Sequence, residues 1–107
     1  MTEATARAHV DRFNTAVLTR DWSAFMATFH DDAVMTFAGP PVGPFVGRAA
    51  IAAAYATDPP GDTMRVLSVR VDGDVDVVAF AWSRGGTGVI QIRRSAGLIT
   101  SLLVSFG

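Results

Sequence analysis

Few side chains in this sequence are placed to do acid–base, nucleophilic or metal chemistry. There are no cysteines in the 107 residues, and the histidines are His9 and His30. Thiolate nucleophiles, disulfides and Cys-ligated zinc therefore drop out together. His30-Asp31-Asp32 has the residue types of a His–Asp base or a metal site. Metal ligands must converge on one point, however, and three adjacent residues at a helix end diverge. Helix termination explains them better, with a protonated histidine favoured near the C-terminal pole. His9 falls beside an apolar helical face and is expected at the surface or at a pocket rim. Asp72-Gly73-Asp74-Val75-Asp76 imitates the first half of a calcium loop, but Val77 and Ser83 stand where such a loop needs Gly and Glu. A solvated hairpin tip is expected there, as it is for Arg93-Arg94 at another hairpin end. Gly85-Gly86-Thr87-Gly88 lies between two strands, not between a strand and a helix N-terminus, so it reads as a turn and not a phosphate cradle. Gly39–Gly47 lacks the Gly-Lys-Ser/Thr ending of a phosphate loop, and no serine sits in a Gly-x-Ser-x-Gly elbow. What remains is Tyr55. Its hydroxyl can orient a ligand carbonyl or act as a weak acid, or it can simply be the polar tip of a core residue. No metal and no cofactor is expected.

Composition narrows the field further. Net charge is −1, with half the residues hydrophobic and 18% charged. That balance argues against a phosphate-tracking nucleic-acid binder and against disorder. No 18-residue stretch is free of charged or turn residues, so no membrane span is expected. The length suits one domain over residues 1–107. The N-terminus has no signal-peptide pattern, so a cytoplasmic location is expected. Every basic residue is arginine and nine of the ten acids are aspartate, a bias that points to a GC-rich bacterial genome.

The elements that must position these residues follow from periodicity. Ala6, Val10, Phe13 and Val17 mark one face of a first helix. Asp21 suits an N-cap, and Trp22, Phe25, Met26 and Phe29 form the stripe of a second helix closed by His30-Asp31-Asp32. Ala33–Phe37 reads as a strand. Gly39–Gly47 is too rich in proline for a central strand and must be a loop or an edge. Arg48–Ala56, with Ile51 and Tyr55 four apart, reads as a third helix ended by Asp58-Pro59-Pro60-Gly61. The period then falls to two, giving strands over Met64–Val71, Val75–Trp82, Thr87–Arg93 and Leu98–Phe106. This order predicts an α+β fold, three helices packed on a strongly curved antiparallel sheet. In the last strand, Ile99, Ser101, Leu103 and Ser105 form a second face without charge, which predicts a covered face and a homodimer formed through it.

The run Asp21-Trp22…Phe29-His30-Asp31-Asp32-Ala33-Val34, then Val46-Gly47-Arg48…Ile51…Tyr55, then the strand-rich half, resembles the nuclear transport factor 2-like superfamily. Within it, the chain is most similar to the SnoaL-like and ketosteroid-isomerase-like branch. The resemblance spans essentially the whole chain. It implies a cone-shaped α+β barrel with an internal ligand pocket, and frequent homodimerisation across the outer sheet face. It also implies where isomerase chemistry would sit. The position of the proton-abstracting aspartate is Phe37, and that of the enolate-stabilising tyrosine is Phe13. The strand that would carry a protonated aspartate reads Gly88-Val89-Ile90-Gln91-Ile92, with no acid. Phenylalanine cannot exchange a proton, so steroid isomerisation is not expected. Tyr55 matches a pocket tyrosine of some isomerases. Arg48 belongs to the fold signature and is expected to pair with Asp31 or Asp32.

Alternation and the resemblance together predict the pocket lining: Phe13, Val17, Met35, Phe37, Tyr55, Phe80, Trp82, Leu102, Val104 and Phe106. Such a wall, apolar with one hydroxyl, suits a small hydrophobic molecule. Three functions stay open at this point. One is a binding domain without isomerase-type acid and base. The second is an isomerase, cyclase or dehydratase acting on a ketone or polyketide-like substrate, with Tyr55 as its candidate catalytic residue. The third is a dimeric interaction module whose cone is filled.

Overall fold

The computed structural model describes residues 3–106. Helix α1 (Glu3–Thr19) buries Ala6, His9, Val10, Phe13 and Ala16, one stripe at helical spacing. It stops at Arg20, which turns into the left-handed region (φ 61°) while its N–H still bonds the Ala16 carbonyl at 2.8 Å. Asp21 Oδ1 then accepts from the Ser23 N–H (3.0 Å) and hydroxyl (2.6 Å), opening α2.

Helix α2 is shorter than the sequence suggests. It covers Ser23–Met26, and Phe29 to Asp32 already belong to strand β1 (Phe29–Ala38). The cause is Thr28, whose hydroxyl takes the Phe25 carbonyl (2.6 Å) and whose own carbonyl accepts from Ile99 N–H (2.8 Å). The chain is thereby tied to the sheet before another turn of helix forms. His30, Asp31 and Asp32 sit in an irregular stretch of β1, between the Phe29–Ile99 and Val34–Ser101 pairs. There His30 Nδ1 accepts from Asp32 N–H, and Asp31 pairs with Arg48 at 2.7 Å.

The segment after β1 folds back as a two-residue edge strand β2 (Phe45–Val46), followed by α3 (Arg48–Thr57). Gly47, at φ 93°, makes the corner, a backbone geometry that favours glycine. Strands β3 (Met64–Asp72), β4 (Val75–Trp82), β5 (Thr87–Ser95) and β6 (Leu98–Phe106) form a meander. The sheet order is β2-β1-β6-β5-β4-β3, with β1 and β6 parallel and the other pairs antiparallel. The sheet is therefore mixed, because three successive hairpins return β6 beside β1 running the same way. The result is three helices on a six-stranded curved sheet, the α+β cone fold.

Three sequence expectations are corrected by the strand registers. Arg93 pairs with Ser101 but Arg94 pairs with Ile99, so β6 carries one extra residue at Thr100. This bulge switches Ile99 to the inner face, where it is 1% exposed, and removes it from the outer face assigned to a partner. Asp76 is not at a solvated tip, because it alternates with Val78 and Phe80 on the inner face of β4. Arg94 follows Ile90 and Ile92 inward and bonds Asp76 Oδ2 at 2.6 Å, the two side chains being 5% and 1% exposed. Arg93 does reach the surface and clasps Asp74. His9 is buried against the Phe25 ring, not at a rim, with centroids 5.1 Å apart. Burial, and then the nearby Arg94 and Arg12 cations, lower its pKa to about 3. Among the described residues, no helix is long and apolar enough to cross a membrane and no acid–histidine cluster is arranged to hold a metal.

Candidate functional site

A cleft of about 510 Å³ opens between α3 and the end of β1, roofed by the segment that leads into β2. Met35, Phe37, Val42 and Phe45 form one wall, and Ala50, Ala53, Ala54 and Tyr55 of α3 form the other. The space exists because α3 presents alanines where larger side chains would close it. Phe45 stands edge-on to Phe37 (6.3 Å, 89°), and Phe106 stacks on Phe37 from the last strand (6.2 Å, 6°). Thr57, Asp58 and Pro60 complete the lining.

Tyr55 is the polar feature of the apolar wall. It is 8% exposed, and its hydroxyl donates to the Met35 thioether at 3.5 Å. A thioether is a weak acceptor, so the buried hydroxyl holds a partner that a ligand oxygen can replace with gain. Burial pushes the phenol well above its ordinary pKa, which keeps the proton on oxygen and makes the group a donor. The ring is fixed by stacking on Trp22 (4.5 Å, 18°) and by edge contact with Phe25 (5.4 Å, 80°). Besides Tyr55, the titratable lining residue is Asp58, which is exposed. The cleft therefore offers one oriented donor and a hydrophobic wall, with no buried base.

The residues expected to line a pocket divide between two environments. Met35, Phe37 and Tyr55 meet at this cleft. Phe13, Phe80, Leu102 and Val104 are buried in the core, and Trp82 packs against Phe13 (6.1 Å) and Phe80 (5.1 Å). The inside of the cone around them is filled with aromatic rings. Val17 borders a second cleft beside Trp22, and Phe106 stays half-exposed above Phe37. Val42, Phe45 and the alanines of α3 were not legible as lining residues. The signal available was Phe45 itself, an aromatic residue between breakers and next to an alanine-rich helix.

A family model described as a SnoaL-like domain matches residues 10–100. The chain belongs to the SnoaL-like domain family. Solved structures agree on the fold of this SnoaL-like chain. A candidate ketosteroid isomerase from Kribbella flavida DSM 17836 superposes with a TM-score of 0.76 at 19% identity, covering 97% of this chain and 78% of that one. A SnoaL-like protein of unknown function from Burkholderia thailandensis E264 gives 0.76 at 16% identity, with coverage of 99% and 97%. A candidate polyketide cyclase from Sinorhizobium meliloti gives 0.71 at 21% identity, with coverage of 91% and 93%. At these identities the likeness establishes the fold alone. No curated protein matches the sequence.

Proposed function

We propose that this SnoaL-like domain binds a small hydrophobic molecule carrying one carbonyl or ether oxygen, without isomerase-type acid–base chemistry. The supporting observation is the Tyr55 hydroxyl, buried in an apolar cleft wall with a thioether as its hydrogen-bond acceptor. A ligand held by apolar area and oriented by one donor fits that wall. Phe37 and Phe13, at the positions where the isomerases carry their base and phenol, hold no transferable proton. Calorimetric titration with a medium-chain methyl ketone and with the alkane of equal length tests the reading. Tighter binding of the ketone, lost in Tyr55→Phe, supports it; equal binding of both by the unaltered protein counts against it.

A second copy of the chain is the proposed partner. Val34, Thr36, Leu103, Val89, Val77 and Ala79 lie on the outer face of adjacent strands by their registers and form an uncharged patch, edged by Arg70 across from Val77 and by Arg93 across from Ser101. Ser101 borders this patch, and Ile99 is excluded from it by the β6 bulge. Leaving such a face to water forgoes hydrophobic stabilisation that a symmetric dimer would recover.

A further inference from the structure

A second cleft, about 660 Å³, shares Tyr55 and Pro60 with the first but has a different character. Val17, Arg20 and Trp22 line it and are not part of the α3 cleft. Trp22 and Tyr55 both line it and stack on each other, so each ring holds the other in place in its wall. At its edge stands Arg20. Among the described residues Arg7, Arg48, Arg93 and Arg94 are engaged by carboxylates, whereas Arg20, like Arg12, Arg65, Arg70 and Arg84, is not; of these five, Arg20 is the one that lines this cleft. The exposed Arg20 guanidinium has no ion pair among the described residues, and no acid lines the cleft with it. The neighbouring Asp21 is already occupied by Ser23, which also holds its carboxyl below the usual range.

The backbone at Arg20 adds a second indication. Its φ of 61° is the conformation that follows a helix C-terminus, where glycine fits with less strain than any residue bearing a Cβ. The chain places a long cation there, beside Trp22 in the cleft wall, with Asp21 turned to Ser23. We propose that this cleft binds a small aromatic carboxylate, its ring against Trp22 and Tyr55 and its carboxylate on the Arg20 guanidinium. A guanidinium meets a carboxylate through two parallel N–H donors, which a neutral amide of the same shape cannot match.

The test uses the full chain labelled with ¹⁵N, with benzoate and benzamide as probes. The two indole N–H resonances, from Trp22 and Trp82, are assigned with Trp22→Phe. Benzoate is expected to shift the Trp22 resonance and to bind about tenfold more tightly than benzamide. In Arg20→Gln, a substitution at the surface, that preference is expected to disappear while benzamide binds as before. The proposal is overturned by a Trp22 resonance that benzoate leaves unmoved, or by equal affinity for the two probes. Arg20→Gln that keeps the preference, or that loses both probes alike, overturns it too. None of these readouts depends on whether the α3 cleft takes a ketone.

Discussion

The Tyr55 hydroxyl points to the sulfur of Met35 at 3.5 Å, across twenty residues of sequence and from helix to strand. That pairing joins α3 to β1 at the floor of the apolar cleft, and it is weak by the standard of oxygen acceptors. Tyr55→Phe is therefore expected to cost less than about 1 kcal/mol of stability, because the ring keeps its stacking and only a poor hydrogen bond is lost. Chemical denaturation measures this. A loss of several kcal/mol would mean that the hydroxyl is a structural bond and not a free donor.

The Asp76–Arg94 pair is expected to behave differently. Both side chains are buried, yet Asp76 Oδ1 has no hydrogen-bond partner in the structure, so the pair is incompletely satisfied. Removing one charge strands the other: Arg94→Ala or Asp76→Ala alone is expected to cost about 3–5 kcal/mol. The double variant Asp76→Leu/Arg94→Met is expected to recover most of that loss. A double-mutant cycle by urea denaturation checks both statements.

His9 sets a pH dependence whose sign follows from its burial. The imidazole is neutral in the fold with a pKa near 3, against 6.5 for an unshielded histidine. The unfolded chain thus binds a proton that the folded chain refuses. Stability is full above pH 6.5 and falls as pH drops toward 3, by at most about 1.4 kcal/mol per pH unit. Melting between pH 7 and 5 follows the effect while carboxylates stay ionised, and His9→Phe is expected to flatten the slope.

Gly88 is expected to resist substitution for a steric reason. A Cβ there would stand 2.6 Å from the Phe80 ring and 2.7 Å from the Ser105 carbonyl, in the middle of the sheet. Gly88→Ala is expected to destabilise by about 1–3 kcal/mol, as overpacked cores do. Gly73→Ala is a useful contrast: it meets no neighbour but must adopt φ 64°, so its cost is backbone strain without a clash. Thermal denaturation of both variants measures the difference.

Leu103 tests the outer sheet face. Its neighbours Thr36 and Gln91, fixed by strand register, carry no charge. Leu103→Glu is expected to leave the fold intact and to turn a dimer into a monomer in light scattering. A monomer already in the unaltered protein would remove the dimer proposal.

These residues also show what a sequence can and cannot disclose. The order of elements, the bounds of β4 and β6, and the family resemblance were all legible, because period-two patterning is local and strong. The burial of Asp76 and Arg94 was not. An aspartate in Asp72-Gly73-Asp74-Val75-Asp76 looks like a turn residue until register shows it two places inside the strand, facing an arginine from another strand. Ile99 lies on the face opposite to the one that simple alternation predicts, for a related reason. A bulge shifts alternation by one, and a strand that is apolar on both sides gives no local sign of it. The cleft was only half legible, since its second wall comes from a proline-rich segment whose path depends on where β2 docks.

The most direct test of the central claim is a crystal structure of the protein with a medium-chain methyl ketone bound. The expected result is one ligand between α3 and the Val42–Phe45 segment, its carbonyl oxygen within hydrogen-bond distance of Tyr55 Oη and Met35 released. Ketone found elsewhere with the cleft closed, or in the cleft with its carbonyl turned away from Tyr55, would contradict the account.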